Sequence, residues 1–192
     1  MKIKIRKNLG ILGGTFDPPH KGHLYISKIA IKILRLQKLY WIITNQNPLK
    51  KTKPIQSVNR RSLLSKKIIK DNKKIKIMYK NKIANKKYTI DYIQEIKKIK
   101  KNKNLYLIIG ADNLINFHKW KYYEMILKHC TLVVMHRKGY KKKALESFAA
   151  KKFGRFKINS LDLEKENTAQ IKWIYLNIEG FNLSSSSLRN SL

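Results

Sequence analysis

Six short strand-like stretches are spread along the chain: apolar runs at 9–12, 39–43, 105–109 and 131–135, the alternating Ile75-Lys76-Ile77-Met78-Tyr79, and 171–176. Between them lie longer segments whose apolar residues recur at helical spacing; in 24–36 they fall at 26, 29, 30, 33 and 34. Helices are therefore expected at 24–36, 58–70 and 89–101, with Thr89 as a candidate cap for the third. Shorter helices are expected at 111–117, 121–128, 141–153 and 184–192. Strand and helix alternate from end to end, which predicts a doubly wound α/β fold: a parallel sheet, Rossmann-like, with helices on both faces. A length of 192 residues suits a single domain over 1–192.

In such sheets ligands sit beyond the carboxyl ends of the strands. The segments to inspect are then 13–23, 44–50, 79 onward, 110–112, His136 with Arg137, and 177–189. The first is the most informative: Gly13-Gly14-Thr15-Phe16-Asp17-Pro18-Pro19-His20-Lys21-Gly22-His23. Its glycines allow close approach of backbone to ligand, its prolines stiffen the entry to a helix, and the helix start is a positive dipole end. His20 and His23, three residues apart, project from one face and can donate to phosphate oxygens. Near the other end, Ser184-Ser185-Ser186-Ser187 precedes Leu188-Arg189. Clustered hydroxyls at a helix start, with a guanidinium behind them, form a second anion cradle.

Several chemistries are excluded. There is no Gly-x-Gly-x-x-Gly dinucleotide fingerprint, no Walker Gly-Lys-Ser/Thr and no Gly-x-Ser-x-Gly elbow. No third metal ligand accompanies the histidine pair at a recognisable spacing. The lone Cys130 permits no internal disulfide and sits among apolar neighbours as a buried thiol, which suggests a reducing, cytoplasmic setting. No apolar run reaches the roughly 18 residues of a membrane span, and the run after the basic residues 1–7 is too short for a signal peptide.

The charge is unusual, 44 basic against 11 acidic residues for a formal +33. Lysine is scattered along the chain beside abundant Ile and Asn, all with A/T-rich codons. Compositional drift accounts for this better than a nucleic-acid surface does, and no specific nucleic-acid partner is expected. The positive field still favours an anionic substrate.

The His-x-Gly-His of residues 20–23 and the Ser-Ser-Ser-x-x-Arg-like 184–189 resemble the two motifs of a nucleotidyltransferase superfamily. Further matches run in order through nearly the whole chain: Asn47-Pro48-Leu49-Lys50, Tyr88-Thr89-Ile90-Asp91, and Ile109-Gly110-Ala111-Asp112 followed by Phe117-His118-Lys119-Trp120. Together they are similar to the motifs of bacterial nicotinate-nucleotide adenylyltransferases. The chain departs from that pattern at Leu49, where a histidine is common, and at Ser186, where threonine is usual.

The resemblance implies transfer of the adenylyl group of ATP to nicotinate mononucleotide, giving the deamido dinucleotide and pyrophosphate. It implies His20, His23 and Arg189 as catalytic clamps on the phosphates. It implies an ATP site of Gly13, Gly14, Thr15, Phe16, His20, His23, Gly110, Asp112, Ser184, Ser185, Ser186 and Arg189. The mononucleotide would be met by Asn47, Lys50, Tyr88, Thr89, Asp112 and Trp120. Among these, Lys50 would take the phosphate and Trp120 would stack on the pyridine ring, while Tyr88 and Thr89 would contact the carboxylate. Mg²⁺ would bind through the ATP phosphates, with no protein metal cage. The assembly is expected to be a monomer or small homo-oligomer. The alternatives are an adenylyltransferase acting on nicotinamide mononucleotide or phosphopantetheine, and a basic nucleic-acid-binding α/β protein.

Overall fold

The computed structural model describes residues 7–79, 83–101, 103–159 and 171–178. Six strands, β1 (Asn8–Gly14), β2 (Leu36–Ile43), β3 (Ile75–Met78), β4 (Asn104–Gly110), β5 (Thr131–Met135) and β6 (Trp173–Leu176), form one sheet in the order β3-β2-β1-β4-β5-β6. Every pairing is parallel. The helices are α1 (Lys21–Ile33), α2 (Val58–Ile69), α3 (Thr89–Ile99), α4 (Ala111–Ile115), α5 (Tyr123–His129), α6 (Lys141–Leu145) and α7 (Phe148–Lys152), with single 3-10 turns at Phe117–Lys119 and Gly154–Phe156.

A strand buried on both faces must be apolar at every position, and alternate side chains then feed two cores. In β4, Leu105, Leu107 and Ile109 enter the core under α3 to α7, while Tyr106 and Ile108 enter the other with Trp41 and Ala30. Cys130 lies in the first core, 7% exposed, where its thiol donates to the Ile126 carbonyl at 3.2 Å. Burial pushes that thiol up to about 12, so it is an inert, protonated packing group.

All six expected strands are present, and three expected helices are corrected. The first begins at Lys21, not residue 24, because His20 takes the extended N-cap conformation and the polar first turn carries no apolar marker. It ends at Ile33, and Arg35, at φ 47°, turns the chain directly into β2. Tyr88, not Thr89, is the N-cap of α3, and Thr89 is its first helical residue. The helix expected over 141–153 is two short ones, broken where the Ser147 hydroxyl accepts the Ala150 N–H and starts a new N-terminus. The stretch 184–192 lies outside the described residues.

The strand order reverses between β1 and β4. Connections leave these two strands in opposite directions, which opens a crevice at their carboxyl ends.

Candidate active site

A cavity of about 550 Å³ occupies that crevice, within the range of small-ligand sites. It is lined by Gly13, Gly14, Thr15, Phe16, His20 and His23 from the β1–α1 connection, and by Asn47 and Lys50 from the loop after β2. Tyr88 and Thr89 come from the start of α3, and Gly110, Asp112 and Trp120 from beyond β4. The expected site residues among those described thus share one cavity, although the sequence spreads them over more than half the chain. Ser184, Ser185, Ser186 and Arg189 lie outside the described residues.

The histidine pair is held from below by a chain of polar and aromatic contacts. The Trp41 indole N–H donates to Ser27 Oγ at 2.8 Å, and the Ser27 hydroxyl donates to the His23 carbonyl at 2.6 Å, which pins the first turn of α1 onto β2. Phe16, with φ 50° and 2% exposed, stacks on Trp41 at 4.9 Å and meets the His23 ring at 4.8 Å. Its side chain is therefore a floor under His23. Such a left-handed conformation at a bulky residue is strained and is held by this packing. The His20 and His23 rings lie 3.8 Å apart.

The His20 backbone N–H donates to His23 Nδ1 at 3.2 Å. In the neutral ring the proton then sits on Nε2, which makes that nitrogen a donor. Burial, then the neighbouring His20 and Arg137, holds His23 well below the ordinary histidine value of 6.5. Burial, then Arg137, lowers His20 to about 4. Both rings enter the resting site as neutral donors that acquire positive character only beside an anion.

This has a consequence for stability. Between about pH 4 and 6.5 the unfolded chain protonates these histidines and the folded chain resists it, so the unfolded state binds more protons. The stability contribution is complete above the ordinary value and is lost as pH falls through the window. We expect the melting temperature to drop from neutral pH towards pH 5, with a shallower drop in His20→Gln. An identical pH profile for the variant would contradict the assignment.

One glycine here is required by contact. A Cβ on Gly13 would run into the buried Tyr92 hydroxyl, whereas one on Gly110 would meet only the carboxylate tip of the part-exposed Asp112. Gly14 would meet only ordinary contacts. The Asp112 carboxylate folded over Gly110 pairs with the Arg137 guanidinium at 2.8 Å. After β2, Asn47 Oδ1 accepts the Leu49 N–H at 2.9 Å and its carbonyl accepts the Lys50 N–H at 3.0 Å. Asn47 thereby shapes the turn that puts the exposed Lys50 on the rim. Trp120 packs on Phe117 at 5.3 Å, and Lys121 lies 4.6 Å from the Tyr88 ring centre.

Four residues that sequence reasoning left without a role line the cavity or brace it from behind. Arg137 follows β5 at the edge where ligands bind; that position was visible in the sequence, but its reach to Asp112 was not. Arg61, 2% exposed, donates to the carbonyls of Gln56 at 2.9 Å, Thr44 at 2.8 Å and Asn45 at 3.4 Å, and also to that of Thr15. Asp17, 3% exposed, accepts the N–H groups of Ile55 and Gln56 at 2.8 and 3.2 Å. Together they tie the β1–α1 loop, the end of β2 and the entry to α2. Beside Arg60, Lys66 and Lys67 on the same helix, nothing in the sequence distinguishes Arg61. Tyr92, a turn beyond Thr89, is the fourth.

Cationic residues Lys50, Lys87, Lys119, Lys121 and Arg137 line the cavity, against the single carboxylate of Asp112 among the described lining residues. No group of three His, Cys, Asp or Glu side chains converges among the described residues. This donor set suits an anionic ligand, and it suits a divalent cation carried on that ligand's phosphates better than one caged by the protein.

A parallel sheet in this order, with neutral imidazole donors and cations at its switch point, defines a Rossmann-like nucleotide-phosphate-binding protein. Over residues 11–191 the chain matches the model of the cytidylyltransferase-like family, and it belongs to that family. It is 47% identical over 163 residues to a protein of Pelagibacter ubique named a probable nicotinate-nucleotide adenylyltransferase, covering 84% of this chain and 89% of the relative. A Bradyrhizobium protein of the same name is 32% identical over 95% of each chain. The fold is similar to that of the Plasmodium falciparum nicotinic acid mononucleotide adenylyltransferase complexed with NaAD, with a TM-score of 0.70 at 20% identity. That match covers 96% of this chain and 83% of the other. Among the described residues no helix is long and apolar enough to cross a membrane.

Proposed function

We propose that this enzyme transfers the adenylyl group of ATP to the phosphate of nicotinate mononucleotide, forming nicotinate adenine dinucleotide and releasing pyrophosphate, a step of NAD biosynthesis. The observation that carries this reading is the shared cavity. Its His20–His23 end suits a polyphosphate, and its Thr89–Trp120 end suits an acidic aromatic ring. The relatives at 47% and 32% identity bear the name of the same activity.

The chemistry asks little of the protein beyond placement and charge. The nucleophile is a phosphate monoester whose second pKa is about 6, so at neutral pH it is largely dianionic and needs no general base. One of its oxygens attacks the α-phosphorus of ATP, the bond from that phosphorus to the bridging oxygen breaks, and pyrophosphate departs with the electron pair. His23 donates from Nε2 to the α-phosphate as charge builds there, and His20 beside it does the same for the neighbouring phosphate. Lys50 on the rim holds the mononucleotide phosphate in line. Asp112, fixed by Arg137, accepts from ribose hydroxyls. Trp120 offers a ring face to the pyridine. The Ser184–Ser186 hydroxyls and Arg189 are assigned to the outer ATP phosphates. Mg²⁺ would be held by those phosphates and not by a protein cage, and when bound it would supply charge neutralisation.

The test is pyrophosphate release by purified protein with ATP and Mg²⁺, and nicotinate mononucleotide, nicotinamide mononucleotide or phosphopantetheine as acceptor. Release is expected with the nicotinate compound, less with its amide, and none without an acceptor. Absence of release with all three, or preference for phosphopantetheine, would sink the assignment.

A further inference from the structure

We infer that Tyr92 is a positioning residue that sets the pyridine end of the cavity to accept a carboxylate in preference to an amide, by fixing the direction of the Thr89 hydroxyl. The inference rests on the acceptor proposed above and goes beyond it in assigning the discrimination to a residue.

Tyr92 is 3% exposed and stands one turn after Thr89 on α3, so the two side chains share a face. Its hydroxyl lies 3.1 Å from Thr89 Oγ1. Space for the phenol exists only because residue 13 is glycine, since a Cβ there would run into the hydroxyl oxygen. Burial raises the phenol well above its ordinary pKa, so it stays protonated and its hydrogen needs an acceptor. Thr89 Oγ1 is the acceptor the geometry provides. With the phenol donating, the threonine hydrogen cannot point back along the same line. It turns into the cavity, which Thr89 lines.

A threonine hydroxyl left to itself rotates to donate or to accept. Held from behind, it presents a donor and has one lone pair already taken. A carboxylate offers only acceptors, and its charge strengthens the bond. An amide bound the same way gains a weaker bond and loses an acceptor for its NH₂. Lys121 and Lys87, 4.6 and 5.4 Å from the Tyr88 ring centre, reinforce the preference with positive charge. Phenylalanine at 92 would keep the ring in the core and release the Thr89 hydroxyl.

The experiment compares kcat/KM for nicotinate and nicotinamide mononucleotides in the intact protein, in Tyr92→Phe, in Thr89→Val and in the double variant, with circular dichroism and melting temperature for each. Tyr92→Phe is expected to lower the acid-to-amide ratio by about 5- to 10-fold, the worth of one hydrogen bond. The change should lie in the KM for the acid, while the KM for ATP stays level. In the Thr89→Val background Tyr92→Phe should leave the ratio where it was. A merely structural tyrosine would lower stability and both substrates' rates together. An unchanged ratio in Tyr92→Phe, or an equal effect with and without Thr89, overturns the inference while the activity itself stands. A parent protein inactive on the acid overturns both.

Discussion

Replacing His23 by alanine lowers kcat by about 10²- to 10³-fold, the loss seen when one pre-aimed donor is removed from a developing anion. The aim is built in before substrate arrives: Nδ1 is occupied by the His20 N–H, so the ring offers Nε2–H to the cavity. Neutrality in the resting site matters as well. A histidine already charged would bind ground-state triphosphate strongly, whereas a neutral one strengthens its bond as charge builds on the α-phosphate. The KM for ATP should therefore move less than kcat. His23→Asn, which keeps a donor of smaller reach, should recover part of the rate. Loss of the ring from the stack on Phe16 also costs some stability, so rates belong at a temperature where circular dichroism shows the variant folded. A folded His23→Ala protein with unimpaired kcat would remove this residue from the phosphate site.

Arg61→Met destabilises the protein by about 3–5 kcal/mol, the range for removing one member of a buried charged arrangement. Methionine fills the volume but leaves the carbonyls of Thr15, Thr44, Asn45 and Gln56 short of a donor, and leaves Asp17 buried without its neighbouring positive charge. Arg61→Lys should fall between parent and methionine variant, because an ammonium cannot span four carbonyls held by a planar fork. Urea unfolding measures this directly. Since Thr15 belongs to the β1–α1 loop and Thr44–Asn45 leads to Lys50, the lysine variant should also raise KM for both substrates. A methionine variant within about 1 kcal/mol of the parent would show that solvent already satisfies these groups.

Much of this protein is legible in its sequence. Central strands buried on both faces are apolar runs and the edge strand β3 shows itself by alternation, so all six are found with edges displaced by a few residues. The glycine- and histidine-containing stretch after β1 stands out by residue type and spacing, and it does line the cavity. The misplaced boundaries share one cause, which is that periodicity marks burial and not hydrogen bonding. The first turn of α1, Lys21-Gly22-His23, carries no apolar side chain, and so it is silent in an apolar count. The break at Ser147 is a local choice between continuing a helix and capping a new one, and the apolar pattern runs through it.

What the sequence determined by itself was the alternation of strands and helices, the parallel sheet that follows from it, and the identity of the loops at the sheet's carboxyl edge. Those are consequences of local burial and chain connectivity. Only the tertiary structure decided which strands are neighbours, and hence that residues 13–23, 88–92, 110–120 and 136–137 surround one cavity. It decided that Arg61, one basic residue among many, is the buried tie between two substrate loops. It buried the two histidines, which lowers their pKa values, and it put the Tyr92 hydroxyl against Thr89 Oγ1. Protonation and hydrogen-bond direction depend on what is excluded from around a group, and that is a property of packing, which no single stretch of sequence carries.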